Sequence, residues 1–282
     1  MDRVTLPQGT VEYRAAGPAD SPLPAVVFVH GLLVDGELWT AVADRLAERG
    51  IRSYAPTLPL GAHRVPLQPD ADLGPAGIAA LLRDFLAALE LTDVTLVGND
   101  TGGALCQFLV DADHSRVGRL VLTNCDAFDE FPPAPFGMLV TVGKRRGGLR
   151  LIAESVRPRF LRHSVLAFGG LVRDPLDPAL SRRWITPALE NPAIRRDARK
   201  FLREVRPADL LAVSSRLDRF GKPTLVLWGD ADPFFKPAFG RRLRDTIPGA
   251  TLVEIETGRT FLALDEPRRV ADEIAEAFYP VA

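Results

Sequence analysis

The first apolar run, Ala25–His30 (Ala-Val-Val-Phe-Val-His), is rich in β-branched and aromatic side chains. It predicts a strand buried on both faces. From Glu37 to Arg49 the spacing changes, with Leu38, Val42 and Leu46 recurring on one helical face. Ile51–Ala55 predicts the next strand. Pro75–Leu89 predicts a helix whose inner side carries Ile78, Leu81, Leu82, Phe85 and Leu89. Val94–Val97 and Leu120–Thr123 predict strands on either side of a helix over Gly102–Val110. The alternation then stops. From Phe128 to Phe220 the chain shows helix-like stretches punctuated by Pro and Gly, with no strand pattern. Alternation resumes with strand Thr224–Trp228, helix Ala238–Thr246, strand Leu252–Ile255 and helix Arg268–Phe278. Such alternation implies an α/β fold, with a mostly parallel central sheet flanked by helices. We expect a core domain of residues 1–126 and 221–282, and an inserted helical cap of residues 127–220. That insertion would lie over the carboxyl ends of the strands, where open α/β sheets place their sites.

Composition narrows the function classes. A chain of 282 residues, 46% hydrophobic and 25% charged, is neither a stapled miniprotein nor a disordered chain. A net charge of −1 argues against a nucleic-acid partner. No apolar run approaches the roughly 18 residues of a membrane span. Met1–Gly9 contains Asp2 and Arg3 and no apolar core, so no secretory signal is expected. Two cysteines, Cys106 and Cys125, cannot build a disulfide framework, which predicts a cytoplasmic setting. No metal-ligand cluster, P-loop or dinucleotide fingerprint is present, so neither metal nor cofactor is expected. The expected partner is a small-molecule substrate, and the expected state a monomer or homodimer. Charge is unevenly spread: Lys144–Arg219 holds 18 Lys+Arg and 8 Asp+Glu, leaving the remainder at −11. Either the basic segment is a solvated surface pairing with an acidic core, or it attracts an anion.

The candidate chemistry sits at Gly98-Asn99-Asp100-Thr101-Gly102, between a strand and a helix. Gly-x-nucleophile-x-Gly in that setting strains its central residue and lifts the side chain above the sheet. Together with His30-Gly31 at an earlier strand end and Trp228-Gly229-Asp230-Ala231-Asp232-Pro233, it resembles the α/β-hydrolase fold superfamily. The resemblance runs from about Val26 to Phe278 and is to the Asp-nucleophile branch, which is haloalkane dehalogenase-like or epoxide hydrolase-like. A carboxylate attacking an ester would yield an anhydride. One attacking a saturated carbon displaces a halide or opens an epoxide and leaves an alkyl ester on the enzyme. The resemblance implies Asp100 as nucleophile, the backbone amides of Leu32 and Thr101 as an oxyanion hole, and Asp232 or Asp126 as the acid that orients a base.

The base itself is missing. Members of this family carry a histidine after the last strand, and that stretch here reads Thr257-Gly258-Arg259-Thr260-Phe261-Leu262. Aligning on Pro267 puts Thr260 at the histidine position, and aligning on Gly258 puts Arg259 there. Neither is a general base near neutral pH. Of the four histidines, His30 belongs to the oxyanion loop, His114 ends a helix and His163 is in the cap. His63, in a loop on the strand-end side, could substitute or stand behind the pocket. Other family positions also differ. Thr101 and Leu32 occupy the dehalogenase halide-binding positions, which leaves Trp184 of the cap as a possible donor to a leaving group. The three tyrosines, Tyr13, Tyr54 and Tyr279, all lie outside the cap, where epoxide hydrolases place theirs. Complete hydrolysis would need a substitute base. The alternatives are a His-less member that binds a ligand without turnover, or a cofactor-free lyase or isomerase using the Asp as base.

Overall fold

The structure, a computed structural model, describes residues 1–280. Strand β1 (Asp2–Leu6) and β2 (Gly9–Ala16) form a hairpin that precedes β3 (Val26–Val29). A 3-10 turn over Gly36–Trp39 leads into α1 (Thr40–Glu48), followed by β4 (Ser53–Pro56) and α2 (Pro75–Ala88). Next come β5 (Val94–Asp100), α3 (Thr101–Ala112) and β6 (Val117–Cys125). The following segment is helical: α4 (Gly137–Gly143), α5 (Gly148–Ser155), α6 (Arg159–Arg162), α7 (Pro178–Glu190), α8 (Pro192–Glu204) and α9 (Pro207–Ser214). The chain then returns to the sheet with β7 (Thr224–Gly229), α10 (Pro237–Thr246), β8 (Thr251–Ile255), α11 (Leu262–Asp265) and α12 (Pro267–Phe278).

The eight strands form one sheet in the order β1-β2-β4-β3-β5-β6-β7-β8. Pairs β1–β2 and β2–β4 are antiparallel, and every pair from β4–β3 to β7–β8 is parallel. The predicted α/β class and mostly parallel sheet are therefore observed. Central strand β3 is buried at all four residues, as its unbroken Val-Val-Phe-Val run dictates. Phe28 stacks on Trp39 with ring centroids 4.7 Å apart. Helix α2 starts with Pro75 in its first turn and buries Ile78, Leu81, Leu82 and Phe85 against the sheet. The N-terminal hairpin is an element that the apolar-run reading leaves out. Its alternation, Val4 and Leu6 then Val11 and Tyr13 across Pro7-Gln8-Gly9, is short and interleaved with charge.

Between β6 and β7 the regular structure is helical, apart from an isolated bridge between Ala127 and Glu130. Buried polar contacts tie this segment to the loop after β3 and to α3. Trp184 Nε1 donates to Asp35 Oδ1 at 3.0 Å, and Arg183 Nε to Asp35 Oδ2 at 2.8 Å. Ser214 Oγ donates to Gln107 Oε1 at 2.7 Å while accepting from Phe128 N at 2.8 Å. The uneven charge has a partial structural account: Arg183, Arg216 and Arg173 of the basic segment pair with Asp35, Asp111 and Glu266 of the acidic remainder. Among the described residues no helix is long and apolar enough to cross a membrane.

Candidate active site

Asp100 closes β5 and opens α3 with φ 54° and ψ −133°. A non-glycine residue there carries strain of about 1–3 kcal/mol, a common mark of functional turns. A Cβ at Gly102 would overlap the carbonyl oxygen of Val29, so α3 approaches β3 only with glycine at this position. A Cβ at Gly31 would overlap Asp100 Oδ2, so the carboxylate rests directly on the backbone after β3.

Asp100 is half-buried and lines a cavity. Burial raises its pKa from 3.8 to about 7, the nearby charge of Asp232 adds to this, and hydrogen bonds from the backbone amides of Thr101 and Leu32 pull the other way. Both amides expected at an oxyanion hole thus face the carboxylate. The cavity that Asp100 faces has a volume of about 110 Å³. Leu32, Leu33 and Thr101 form its floor beside Asp100, and Pro132, Phe136, Val140, Ile152, Phe168 and Leu171 belong to the walls. Asp100 is the one ionisable side chain among the lining residues, and Thr101 the one other polar side chain.

Asp232, after β7, is held by four donors. Its Oδ1 accepts from the amides of Phe234 and Phe235 at 2.8 and 3.2 Å. Its Oδ2 accepts from Asn124 Nδ2 at 2.9 Å and from the Thr260 hydroxyl at 2.8 Å. Burial is the main influence on its pKa, which is raised despite these bonds. Of the two positions left open for the base, the structure places Thr260 against Asp232. Arg259 turns away, its Nη1 donating to the Val172 carbonyl at 3.1 Å. Asn99 Nδ2 fixes the Thr260 carbonyl at 2.6 Å.

Asp126 takes a different place from Asp232. Its Oδ2 accepts from the Thr101 hydroxyl at 3.1 Å, and its Oδ1 has no partner among the described residues. Burial and then Asp100 push its pKa well up, which favours the neutral acid. Asp126 therefore stands behind Thr101, not beside Thr260.

Three residues expected near the chemistry are otherwise engaged. His63 faces Asp197 on α8, with Nε2 3.3 Å from Asp197 Oδ2, while its Nδ1 accepts from Gly61 N at 3.4 Å. Both ring nitrogens are occupied, and His63 is not among the cavity-lining residues. His30 is locked likewise: its Nε2 accepts from Leu58 N at 2.8 Å, and Nδ1 lies 2.8 Å from the Gly31 carbonyl. Burial lowers its pKa to about 4, so it is neutral at ordinary pH. The Trp184 indole N–H is spent on Asp35 and is not free for a leaving group. His114 Nδ1 meets the Val110 carbonyl at 2.8 Å, and His163 Nε2 meets Ser181 Oγ at 2.9 Å.

Asp35 and Asp197 are what sequence reading misses. Both are fully buried and hold the helical segment against the loops that follow β3 and β4. The signal for Asp35 was its place before Gly-Glu-Leu-Trp, where its side chain accepts from Glu37 N at 3.1 Å as a helix cap. Among the described residues no cluster of three or more His, Cys, Asp or Glu could hold a metal ion.

The profile of the Alpha/beta hydrolase family matches residues 26–273. The chain is 25% identical over 287 residues to a haloalkane dehalogenase of Mesorhizobium japonicum, covering 97% of this chain and 89% of that one. It is 27% identical over 271 residues to a cis-3-alkyl-4-alkyloxetan-2-one decarboxylase of Xanthomonas campestris, covering 91% and 88%. Mycobacterial relatives match at 33% identity over 112 residues, and that match spans 32% of their length. The crystal structure of an ancestral haloalkane dehalogenase superposes with a TM-score of 0.79 over 98% of this chain and 97% of that one. At 22% identity this likeness concerns the fold alone.

Proposed function

Because the chain belongs to the Alpha/beta hydrolase family, we propose that it acts on a small, largely apolar organic molecule through its Asp100 carboxylate. Asp100 attacks a saturated carbon of the substrate. A C–O bond forms to the carboxylate as the bond to a halide or an epoxide oxygen breaks. The amides of Leu32 and Thr101 hold the other carboxylate oxygen, and the helical segment acts as a cap that excludes water. One observation carries this reading: a half-buried carboxylate on a strained strand-to-helix turn is the one ionisable group lining an apolar cavity.

A second reading, a lyase, is favoured by Thr260 standing against Asp232 where hydrolysis of an Asp100 ester would need an imidazole. A carboxylate titrating near pH 7 is suited to abstract an acidic C–H proton. The decarboxylase relative suggests another water-free cycle. Attack of Asp100 on the ring carbon bearing oxygen would open an oxetan-2-one to a free carboxylate. Loss of that carboxylate as carbon dioxide would form a C=C bond and expel Asp100 unchanged.

Intact-mass measurement after incubation with alkyl iodides and epoxides tests the first reading. The expected result is a stable single adduct that is absent in Asp100→Asn. Carbon dioxide release from a 3,4-dialkyl oxetan-2-one, without adducts from halides, would favour the lyase. Tight binding with neither outcome would indicate a ligand binder.

A further inference from the structure

Six arginines converge on one hollow in the helical segment, at a place the proposed reaction does not use. Arg145 and Arg146 lie in the turn between α4 and α5, Arg150 on α5, and Arg195, Arg196 and Arg199 on α8. The hollow has a volume of about 350 Å³, and its other lining residues are uncharged. No carboxylate lines it. Arg196 pairs with Asp197 at 2.7 Å, and Arg195 Nη1 reaches the carbonyls of Ala188 and Leu189 at 2.7 and 3.0 Å. The Arg150–Glu154 pair stretches to 4.0 Å. The side chains of Arg145, Arg146 and Arg199 have no ion pair or hydrogen bond among the described residues.

Like charges gathered in one concavity repel, and the repulsion is strongest where solvent is partly excluded. A bound anion would relieve it. Guanidinium forks match phosphate oxygens in pairs, which a chloride ion cannot reproduce. We propose that this hollow binds a multiply charged, phosphate-bearing anion, either a soluble phosphorylated molecule or an anionic lipid headgroup.

Occupancy has a structural consequence. The anion bridges the α4–α5 turn to α8. Val140 of α4 and Ile152 of α5 line the Asp100 cavity, and α8 carries the Asp197 that meets His63. A ligand joining these helices therefore steadies the cavity wall from outside.

The test is titration calorimetry and thermal unfolding with pyrophosphate, with sodium chloride at matched ionic strength as control. The expected result is saturable binding and a Tm rise of roughly 5 °C at a hundredfold excess over Kd. The double variant Arg145→Ala/Arg146→Ala, with both sites exposed, weakens binding at least tenfold while its circular dichroism is unchanged. Arg199→Ala, on the opposite wall, weakens it independently. Co-sedimentation with phosphatidylglycerol vesicles, against phosphatidylcholine alone, separates the sources. Vesicle binding lost in the same variants assigns the phosphate to a lipid, and pyrophosphate binding without vesicle binding assigns it to a soluble ligand. If pyrophosphate does no more than chloride and the vesicles do not bind, or if the variants bind as well as the parent, the proposal is overturned.

Discussion

The Thr260 hydroxyl donates to Asp232 Oδ2 at 2.8 Å, and its own carbonyl is held by Asn99. A hydroxyl thus completes the carboxylate's hydrogen bonding without offering a base, because it cannot take a proton from water near pH 7. Thr260→His should place an imidazole against the same acid. An adduct that accumulates on Asp100 in the parent should then turn over, giving repeated halide release in the variant. Thr260→Val keeps the shape and removes one buried donor, which should cost about 1–2 kcal/mol in denaturant unfolding.

Asp100 links protonation to stability with a definite sign. In the folded chain its pKa is about 7, against 3.8 for an ordinary aspartate, so between those values the folded state holds a proton that the unfolded state has lost. Its contribution is full below about pH 4 and is lost as pH rises through about 7. Asp100→Asn has no such proton to lose. The variant should gain stability over the parent across that window, by roughly 1.4 kcal/mol for each unit separating the two pKa values. Adduct formation should show the reverse trend, rising with pH to a plateau above about 7, because only an ionised carboxylate can attack a saturated carbon. Paired urea melts at pH 5 and pH 8, with alkylation rates at the same pH values, check both halves.

Much of this arrangement could be read from the sequence. The Gly98–Gly102 turn announced the place of Asp100 because a strand, a tight glycine pair and a helix leave that chain few other geometries. The strand runs announced the sheet because β-branched residues buried on both faces leave no ambiguity of period. Other features depend on contacts distant in sequence. Whether Thr260 or Arg259 would face Asp232 turned on the loop after β8, where Asn99 grips one carbonyl from across the sheet. Trp184 could be read as a donor to substrate only while its partner Asp35, 149 positions away, was unknown. The β1–β2 hairpin escaped because its alternation is brief and half exposed.

Gly31 offers a test of how tightly the carboxylate is seated. An alanine methyl would occupy the position of Asp100 Oδ2, so Gly31→Ala must push the carboxylate off the Leu32 and Thr101 amides or shift the backbone after β3. Overpacking of this kind costs about 1–3 kcal/mol. Adduct formation should fall by about a hundredfold or more, a loss on the scale of removing an oxyanion contact. A variant alkylated at the parent's rate would show that the seating does not matter.

His63 and Asp197 separate structural support from chemistry. Asp197 is fully buried and accepts from His63, from the Leu67 amide at 2.9 Å and from Arg196. Removing it strands all three donors, so Asp197→Ala should cost about 3–5 kcal/mol, as for a broken buried pair. Burial holds the His63 pKa below its usual 6.5 even though Asp197 favours the charged ring. The unfolded chain therefore takes up this proton first as pH falls. Stability from this group is present above about pH 6.5 and is lost on acidification toward the lower folded value. His63→Gln removes that acid sensitivity while retaining a side-chain donor for Asp197. If His63 has no part in proton transfer, the variant should alkylate at Asp100 within about twofold of the parent rate at pH 8. A large drop in that rate, with urea stability preserved, would return His63 to the reaction.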